Sequence, residues 1–305
     1  MALNVSQWEQ AFAASDSARD FAPTAGHRSV LVGLLGAGIT ASRTPAMHRA
    51  EGAAQGLALD YRLIDTDTSP VAEAGPAAVG ALLDRVEAAG YDGINVTYPF
   101  KQAVIPHLSE LAPAATAVGA VNTVLFRKGS RIGENTDHWG FAESLRRSLP
   151  DAPRENVLLL GAGGAGGAVA LALLDEGARR VLIHDMDKHR ATVMAERLGK
   201  GRAEVVTALD TAAAVADGIV NATPMGMAKQ PGLPLPEALV TPRHWVGDIV
   251  YFPPETQLLA LARRRGCRVL PGSGMALFQA VRAFELFTGL TPDPDRMWAA
   301  FTAAS

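Results

Sequence analysis

From Ser29 onward, short apolar runs alternate with amphipathic segments of helix length. "SVLVGLLG" (29–36) reads as a strand, "PAMHRAEGAAQGL" as a helix with Pro45 in its first turn, and "LDYRLIDT" as a second strand. "VGALLDRVEAAG" predicts an amphipathic helix closed by Gly90, and "YDGINVTY" another strand. "VGAVNTVLFRKGSRIGENTD" predicts two strands around a Lys128-Gly129-Ser130 turn. This β-α-β-α order predicts an α/β domain with a parallel-type sheet. Residues 1–27 show no clear period and read as a polar lead-in, with a short helix around Trp8–Ala14.

A second α/β block opens at "NVLLLGAGGAGGAVALALLDEGARRVLIHD". Strand "NVLLL", a glycine turn, helix "AVALALLDEG" and strand "RRVLIHD" make one βαβ unit in about thirty residues, as a Rossmann-type dinucleotide-binding domain requires. Further strands are expected at "AEVVTA", "GIVNAT", "WVGDIV" and "CRVL", then helices at "GMALFQAVRAFELFTG" and "PDRMWAAFTAA". Boundaries near Asp137 and Gly272 divide the chain into residues 1–137 plus 272–305 and an inserted domain, 138–271. The C-terminal helices are expected to return to the first domain.

Composition narrows the function class. The 305 residues suit two domains, and 48% hydrophobic with 19% charged residues is ordinary for a soluble enzyme. A formal net charge of −3 gives no basis for nucleic-acid or anionic-membrane binding. The apolar runs are too short for a membrane span, and the N-terminus lacks the order of a secretory signal. The sole cysteine, Cys267, excludes an internal disulfide framework and a multi-Cys metal site. His48, His184 and His189 show no ligand spacing and read as structural or surface residues, so no metal is expected. A cytoplasmic enzyme, monomeric or homodimeric, is the expectation.

Gly161-x-Gly163-x-x-Gly166 follows a strand and opens a helix, the context that gives this pattern meaning. Gly161 permits the tight turn, Gly163 lets backbone approach a pyrophosphate, and Gly166 allows close helix–strand packing; Gly164 and Ala165 complete the loop. The helix N-terminus then offers N–H groups and partial positive charge to phosphates. Asp185, at the end of the next strand, has the spacing of an acid that accepts from a ribose 2′-OH and repels a 2′-phosphate. NAD is therefore expected over NADP, although Lys188 and Arg190 follow closely. The plain alternative for Asp185 is a helix cap.

"NVTYPFKQ", "GAVNTV", "GENTD", "GAGGAGGA", "NATPMGM", "DIVYFPPETQLLALARRRGC" and "GSGMALFQAVRAFELFTG" follow one another in the order of the shikimate dehydrogenase family. The chain resembles that family over residues 29–290. "SRTPAMH" replaces the commoner pair of serines by Ser42 and Thr44, and His184-Asp185-Met186 replaces the Asn-Arg-Ser/Thr pattern of NADP-linked members. Both departures resemble the NAD-preferring quinate/shikimate dehydrogenase branch.

The resemblance implies oxidation of a ring alcohol on a cyclic polyol carboxylate, interconverting quinate with 3-dehydroquinate and shikimate with 3-dehydroshikimate. By resemblance Lys101 and Asp137 are the catalytic pair; a desolvated lysine can lose its proton near neutral pH and a carboxylate can orient it. In isolation Lys101 would pass for a solvated lysine at a strand end, and Asp137 for a helix cap. Ser42 and Thr44 match carboxylate-binding hydroxyls just before a helix. Thr97, Asn122 and Gln279 match hydroxyl-binding positions, Asn95 shares the strand end with Thr97, and Tyr251 matches a further substrate contact. Ala222, Thr223 and Pro224 are expected beside the ribose and nicotinamide, with Gly272 and Met275 near the nicotinamide and Arg190 at the adenosine end. The alternatives are an NADP-linked biosynthetic shikimate dehydrogenase, an aminoshikimate-type enzyme, or a non-catalytic ligand sensor on the same fold. The last is disfavoured because Lys101 and Asp137 are both present.

Overall fold

The computed structural model describes residues 29–67 and 75–304; the helix expected around Trp8–Ala14 lies outside them. The chain divides into two compact units. Of the described residues, the first unit holds those up to Ala115, Ala120–Thr136 and those from Ala280 on, and the second holds Thr116–Gly119 and Asp137–Gln279.

The first unit begins β1 (Ser29–Gly36), α1 (Thr44–Ala54), β2 (Ala58–Asp65), α2 (Val79–Ala88) and β3 (Gly93–Val96). It continues through β4 (Glu110–Leu111), into α3 (Pro113–Val118), and on to β5 (Thr123–Arg127) and β6 (Ser130–Glu134). The sheet order is β2-β1-β3-β5-β6-β4. β1 runs parallel to β2 and β3, but β5 is antiparallel to both β3 and β6. The sheet is therefore mixed, where helix–strand alternation predicted a parallel one. The hairpin explains half of this: Lys128 (φ 50°) and Gly129 (φ 80°) close a two-residue turn, which can only return the chain antiparallel. Leu35, Leu82, Leu83, Val86, Ile94, Val96, Val104 and Val124 form a dry core. Phe100 joins it fully buried, which is why an aromatic precedes Lys101: it anchors the strand-end turn to the core.

In the second unit α4 (Thr136–Ser148) leads to β7 (Asn156–Leu160), α5 (Gly164–Asp175), β8 (Arg180–His184), α6 (Lys188–Leu198) and β9 (Ala203–Val205). Then follow α7 (Leu209–Val215), β10 (Gly218–Asn221), β11 (Trp245–Asp248), α8 (Gln257–Arg264), β12 (Arg268–Pro271) and α9 (Gly272–Thr288). The division between units falls within α9. The six strands run in the order β12-β11-β10-β7-β8-β9, every neighbouring pair parallel. Read from β9, this is the 3-2-1-4-5-6 order of a doubly wound dinucleotide-binding sheet. Both faces are covered, so β7 is apolar without alternation from Val157 to Leu160. Val157 and Leu159 pack with Val169, Leu173 and Ile183 on one face; Leu158 and Leu160 pack with Ile219, Val246 and Leu261 on the other.

The last helix, α10 (Pro294–Ala303), lies on α1 within the first unit. Glu51, fully buried on α1, accepts from Arg296 (2.7 Å) and from the Asp293 N–H (3.0 Å), pinning the start of α10. Among the described residues no helix is long and apolar enough to cross a membrane, and no cluster of His, Cys, Asp and Glu could hold a metal ion.

Candidate active site

In the second unit the loops after β7 and β10 adjoin where the strand order reverses. The Ala222 N–H donates to the Leu160 carbonyl (2.7 Å). Gly161 has φ +102°, and a Cβ there would meet the Ala222 carbonyl at 2.8 Å. A Cβ on Gly166 would lie 2.1 Å from the Gly161 carbonyl oxygen, so α5 starts against the loop only because this residue is glycine. Gly163 differs: it is exposed, and a Cβ would meet nothing within 4 Å. It sits at the N-cap of α5, followed by half-buried Gly164 and Ala165, and leaves the first-turn N–H groups without a side-chain cap. Open space, free donors and the positive end of a helix fit a pyrophosphate. Thr223 is held beside this loop by Asn221, whose Oδ1 accepts from the Thr223 N–H (3.0 Å) and hydroxyl (2.7 Å); Pro224 next to it is exposed.

Asp185 follows β8 and does not cap α6. That cap is Asp187, which accepts from the His189 N–H (3.0 Å) and Arg190 N–H (3.3 Å) and pairs with the Arg190 guanidinium at 3.3 Å. The Asp185 carboxylate instead accepts from the Ala162 N–H (2.6 Å) through one oxygen and the Asp187 N–H (2.8 Å) through the other. It therefore braces the glycine loop from the neighbouring strand end, half-buried at the edge where a ribose would lie.

Close backbone packing aligns the helices that carry Asp137, Met275 and Gln279. Gly140, one turn beyond Asp137 on α4, is backed so closely on α9 that a Cβ would sit 2.6 Å from the Gln279 amide nitrogen and 2.9 Å from the Met275 carbonyl oxygen. Asp137 and Met275 are buried, and Gln279 is half-buried with its amide donating to the Ala276 carbonyl (3.0 Å). Gly272 opens α9 against β11, where a Cβ would lie 2.5 Å from the Ile249 carbonyl. Tyr251, just beyond β11, is exposed.

The first unit gathers the remaining residues at the carboxyl ends of β1 and β3. Buried Asp65 accepts from the Gly38 and Ile39 N–H groups (2.9 and 2.8 Å), shaping the loop that leads to Ser42. The Ser42 hydroxyl donates to Thr44 Oγ1 (3.2 Å) and accepts from the Thr44 N–H (3.3 Å), leaving both half-buried hydroxyls at the start of α1. Thr97 is tied by its N–H to the Leu35 carbonyl (2.9 Å), and half-buried Lys101 offers its carbonyl to the Val121 N–H (2.8 Å).

Asn95 and Asn122 are buried, and much of their hydrogen-bonding capacity is used internally. Asn95 Oδ1 accepts from the Tyr61 hydroxyl (2.7 Å), and its Nδ2 donates to Thr123 Oγ1 (2.9 Å). Asn122 Oδ1 accepts from the Thr136 N–H (2.7 Å), while its Nδ2 donates to Thr136 Oγ1 (2.9 Å). The chain thus runs Tyr61–Asn95–Thr123–Asn122–Thr136 and ends one residue before Asp137. Burial raises the Tyr61 phenol well above its ordinary range, keeping it a neutral donor. His48 packs against the Tyr61 ring at a tilt of 45° (centroids 4.8 Å apart); burial holds its imidazole neutral, pushed down to about 3. Tyr61→Phe leaves Asn95 Oδ1 buried without its donor and is expected to cost about 1–3 kcal/mol of stability. An unchanged urea midpoint would show that the relay carries no such tie.

Comparison with known proteins draws these halves together. A model of the shikimate dehydrogenase substrate binding domain matches residues 34–124, one of shikimate/quinate 5-dehydrogenase residues 143–228, and one of the shikimate 5′-dehydrogenase C-terminal domain residues 272–300. A shikimate dehydrogenase (NADP(+)) of Streptomyces avermitilis is 53% identical over 277 residues, 89% of this chain and 94% of that one. The chain belongs to the shikimate dehydrogenase family. A quinate/shikimate dehydrogenase (NAD(+)) of Corynebacterium efficiens is 49% identical over 283 residues, 90% of this chain and 98% of the other. The quinate dehydrogenase of Corynebacterium glutamicum, solved in complex with NAD, superposes with TM-score 0.85 at 45% identity, covering 91% of this chain and all of that one. The cofactor class of the family is thus nicotinamide dinucleotide, and the fit of the open Gly163 cradle agrees with it.

Beyond the residues its motifs single out, the family member holds one more acid at the carboxyl edge of the second sheet. Asp248 ends β11 and accepts from Asn221 Nδ2 (2.9 Å), the Val250 N–H (3.0 Å) and the Thr256 hydroxyl (2.7 Å), all neutral partners. Burial pushes its carboxyl up to about 6, although the three hydrogen bonds oppose the shift. The motif "DIVYFPPET" contains this residue, but hydrophobic patterning gives it only a strand end. The folded chain holds the Asp248 proton more tightly than the unfolded one. Its contribution to stability is therefore full below the ordinary carboxyl value of 3.8 and lost as pH rises through about 6. Between pH 4 and 7.5 the wild type is expected to lose up to about 3 kcal/mol relative to Asp248→Asn. Urea midpoints that move in parallel for the two would contradict the desolvation.

Proposed function

We propose that this chain is an NAD-dependent dehydrogenase that interconverts quinate with 3-dehydroquinate and shikimate with 3-dehydroshikimate. The observation that carries the NAD assignment is Asp185: its carboxylate stands at the end of β8, braced against the glycine loop, where a 2′-phosphate would meet negative charge. Residues 138–271 serve as the cofactor domain, and residues 1–137 with 272–305 as the substrate and catalytic domain. The protein works in the cytoplasm as a monomer or homodimer.

A nicotinamide dinucleotide held by the Gly161–Gly166 loop and Asp185 would supply the hydride acceptor for the carbon that carries the reacting hydroxyl. The chain's own residues do the rest. Lys101 and Asp137 handle the proton of that hydroxyl. Ser42 and Thr44 hold the substrate carboxylate, and Thr97, Asn122, Gln279 and Tyr251 fix its hydroxyl groups. Asn95, on the same strand end as Thr97, is a further contact, steadied by Tyr61 and Thr123.

A second reading, an NADP-linked shikimate dehydrogenase, draws on the NADP-named Streptomyces relative and on Lys188 and Arg190 beside Asp185. Initial rates with quinate and shikimate, each against NAD and NADP, decide between them. Turnover of either substrate with a clear NAD advantage in kcat/KM is expected. A large NADP advantage establishes the second reading, and no turnover of either substrate with cofactor bound defeats both.

A further inference from the structure

Asp248 draws three separate stretches of the second unit onto one side chain. Its Oδ1 accepts from Asn221 Nδ2 (2.9 Å), at the end of β10, and from the Val250 N–H (3.0 Å), in the turn leading to Tyr251. Its Oδ2 accepts from the Thr256 hydroxyl (2.7 Å), which in turn caps α8 by accepting from the Leu259 N–H (3.2 Å). Asn221 passes the tie onward to Thr223 through its Oδ1 and to the Met225 carbonyl through its Nδ2 (2.9 Å). The Asp248 main chain closes the fourth side, since a Cβ on Gly272 would lie 2.7 Å from its carbonyl oxygen.

Packing alone does not call for a carboxylate here. The residue is 1% exposed, and among the described residues no cation pairs with it, so its desolvated charge is offset only by hydrogen bonds from neutral donors. What only an ionised carboxylate offers is pure acceptor capacity: it takes an amide N–H, a backbone N–H and a hydroxyl together and has no donor of its own to satisfy. A buried carboxylate held only by neutral donors, at the carboxyl edge of a doubly wound sheet, stands where such sheets bind their ligands.

We propose that Asp248 is a positioning residue for the nicotinamide half of the cofactor site, setting the Ala222–Pro224 loop, the Tyr251 turn and Gly272 in register with one another. This rests on the dinucleotide reading above. It differs from a purely structural role in being local: the pyrophosphate cradle at Gly163 and the ribose edge at Asp185 are built by other residues.

The test is calorimetric titration of the whole chain with NADH and with ADP-ribose, which lacks the nicotinamide. Wild type is expected to bind both. Asp248→Ala is expected to weaken NADH about tenfold or more while changing ADP-ribose less than about threefold. Asp248→Asn, which keeps an acceptor for Asn221 and Val250, is expected to recover most of the NADH affinity. Should Asp248→Ala not fold, Asn221→Ser cuts the same tie at the loop and is judged by the same two probes. Equal weakening of both probes, or no weakening of either, overturns the inference while leaving the dinucleotide reading intact. A wild type that binds neither probe overturns the dinucleotide reading and the inference with it.

Discussion

Lys101→Ala is expected to lower kcat by about 10²–10⁴-fold, the usual contribution of a positioned acid–base group, while the NADH dissociation constant changes by less than about threefold. The structure explains why the fold should tolerate the change. The turn is held by the Lys101 carbonyl, which accepts from Val121, and by fully buried Phe100; neither depends on the lysine side chain. The glycine loop that would take the cofactor lies in the other unit, so its affinity is an independent readout. Lys101→Met keeps the aliphatic stem without the amine and should be as inactive as alanine if proton transfer is what is lost. Near-normal kcat in either variant would remove Lys101 from the chemistry. A raised KM for substrate at full kcat would instead make it a binding group.

Much of this site was legible because its signals are local and backbone-driven. Gly161 and Gly166 are demanded by contacts of 2.8 and 2.1 Å that no side chain could survive, so the spacing itself carries the geometry. The strand pattern was equally plain: the apolar run 157–160 belongs to a strand buried on both faces. Other features depend on partners distant in sequence. The mixed first sheet follows from β5 pairing back onto β3, a choice that alternation of helices and strands does not encode. Short elements such as β4, α3 and α7 lack the length for a visible period. Asn95 shows the same limit at the level of one residue. Its place beside Thr97 suggests a substrate amide, and only the fold shows that Tyr61 and Thr123, from β2 and β5, hold it as well. Asp185 shows it as well: a helix cap was its plain alternative, and only the fold gives that cap to Asp187 and puts Asp185 against the Ala162 N–H.

That brace on the glycine loop decides how cofactor preference should be probed. Asp185→Ala removes a charge and also frees two N–H groups, those of Ala162 and Asp187, so it is expected to weaken both dinucleotides by loosening the glycine loop. Asp185→Asn separates the effects, since its amide oxygen can still accept one of the two bonds while the negative charge is gone. Two unit charges about 4 Å apart near a protein surface interact by roughly 4 kcal/mol, so relief of repulsion toward a 2′-phosphate is a large term. With screening and a lost ribose contact included, the kcat/KM ratio of NADP to NAD is expected to rise about 10²-fold in Asp185→Asn. Arg190 sharpens the test. It is exposed and paired with Asp187 at 3.3 Å, so it is available to a phosphate only by leaving that partner. Adding Arg190→Ala to Asp185→Asn should therefore take back part of the NADP gain while leaving NAD use nearly unchanged. If Asp185→Asn leaves the ratio where the wild type has it, discrimination does not reside in the Asp185 charge. The carboxylate is then only the brace that its bond to Ala162 shows it to be.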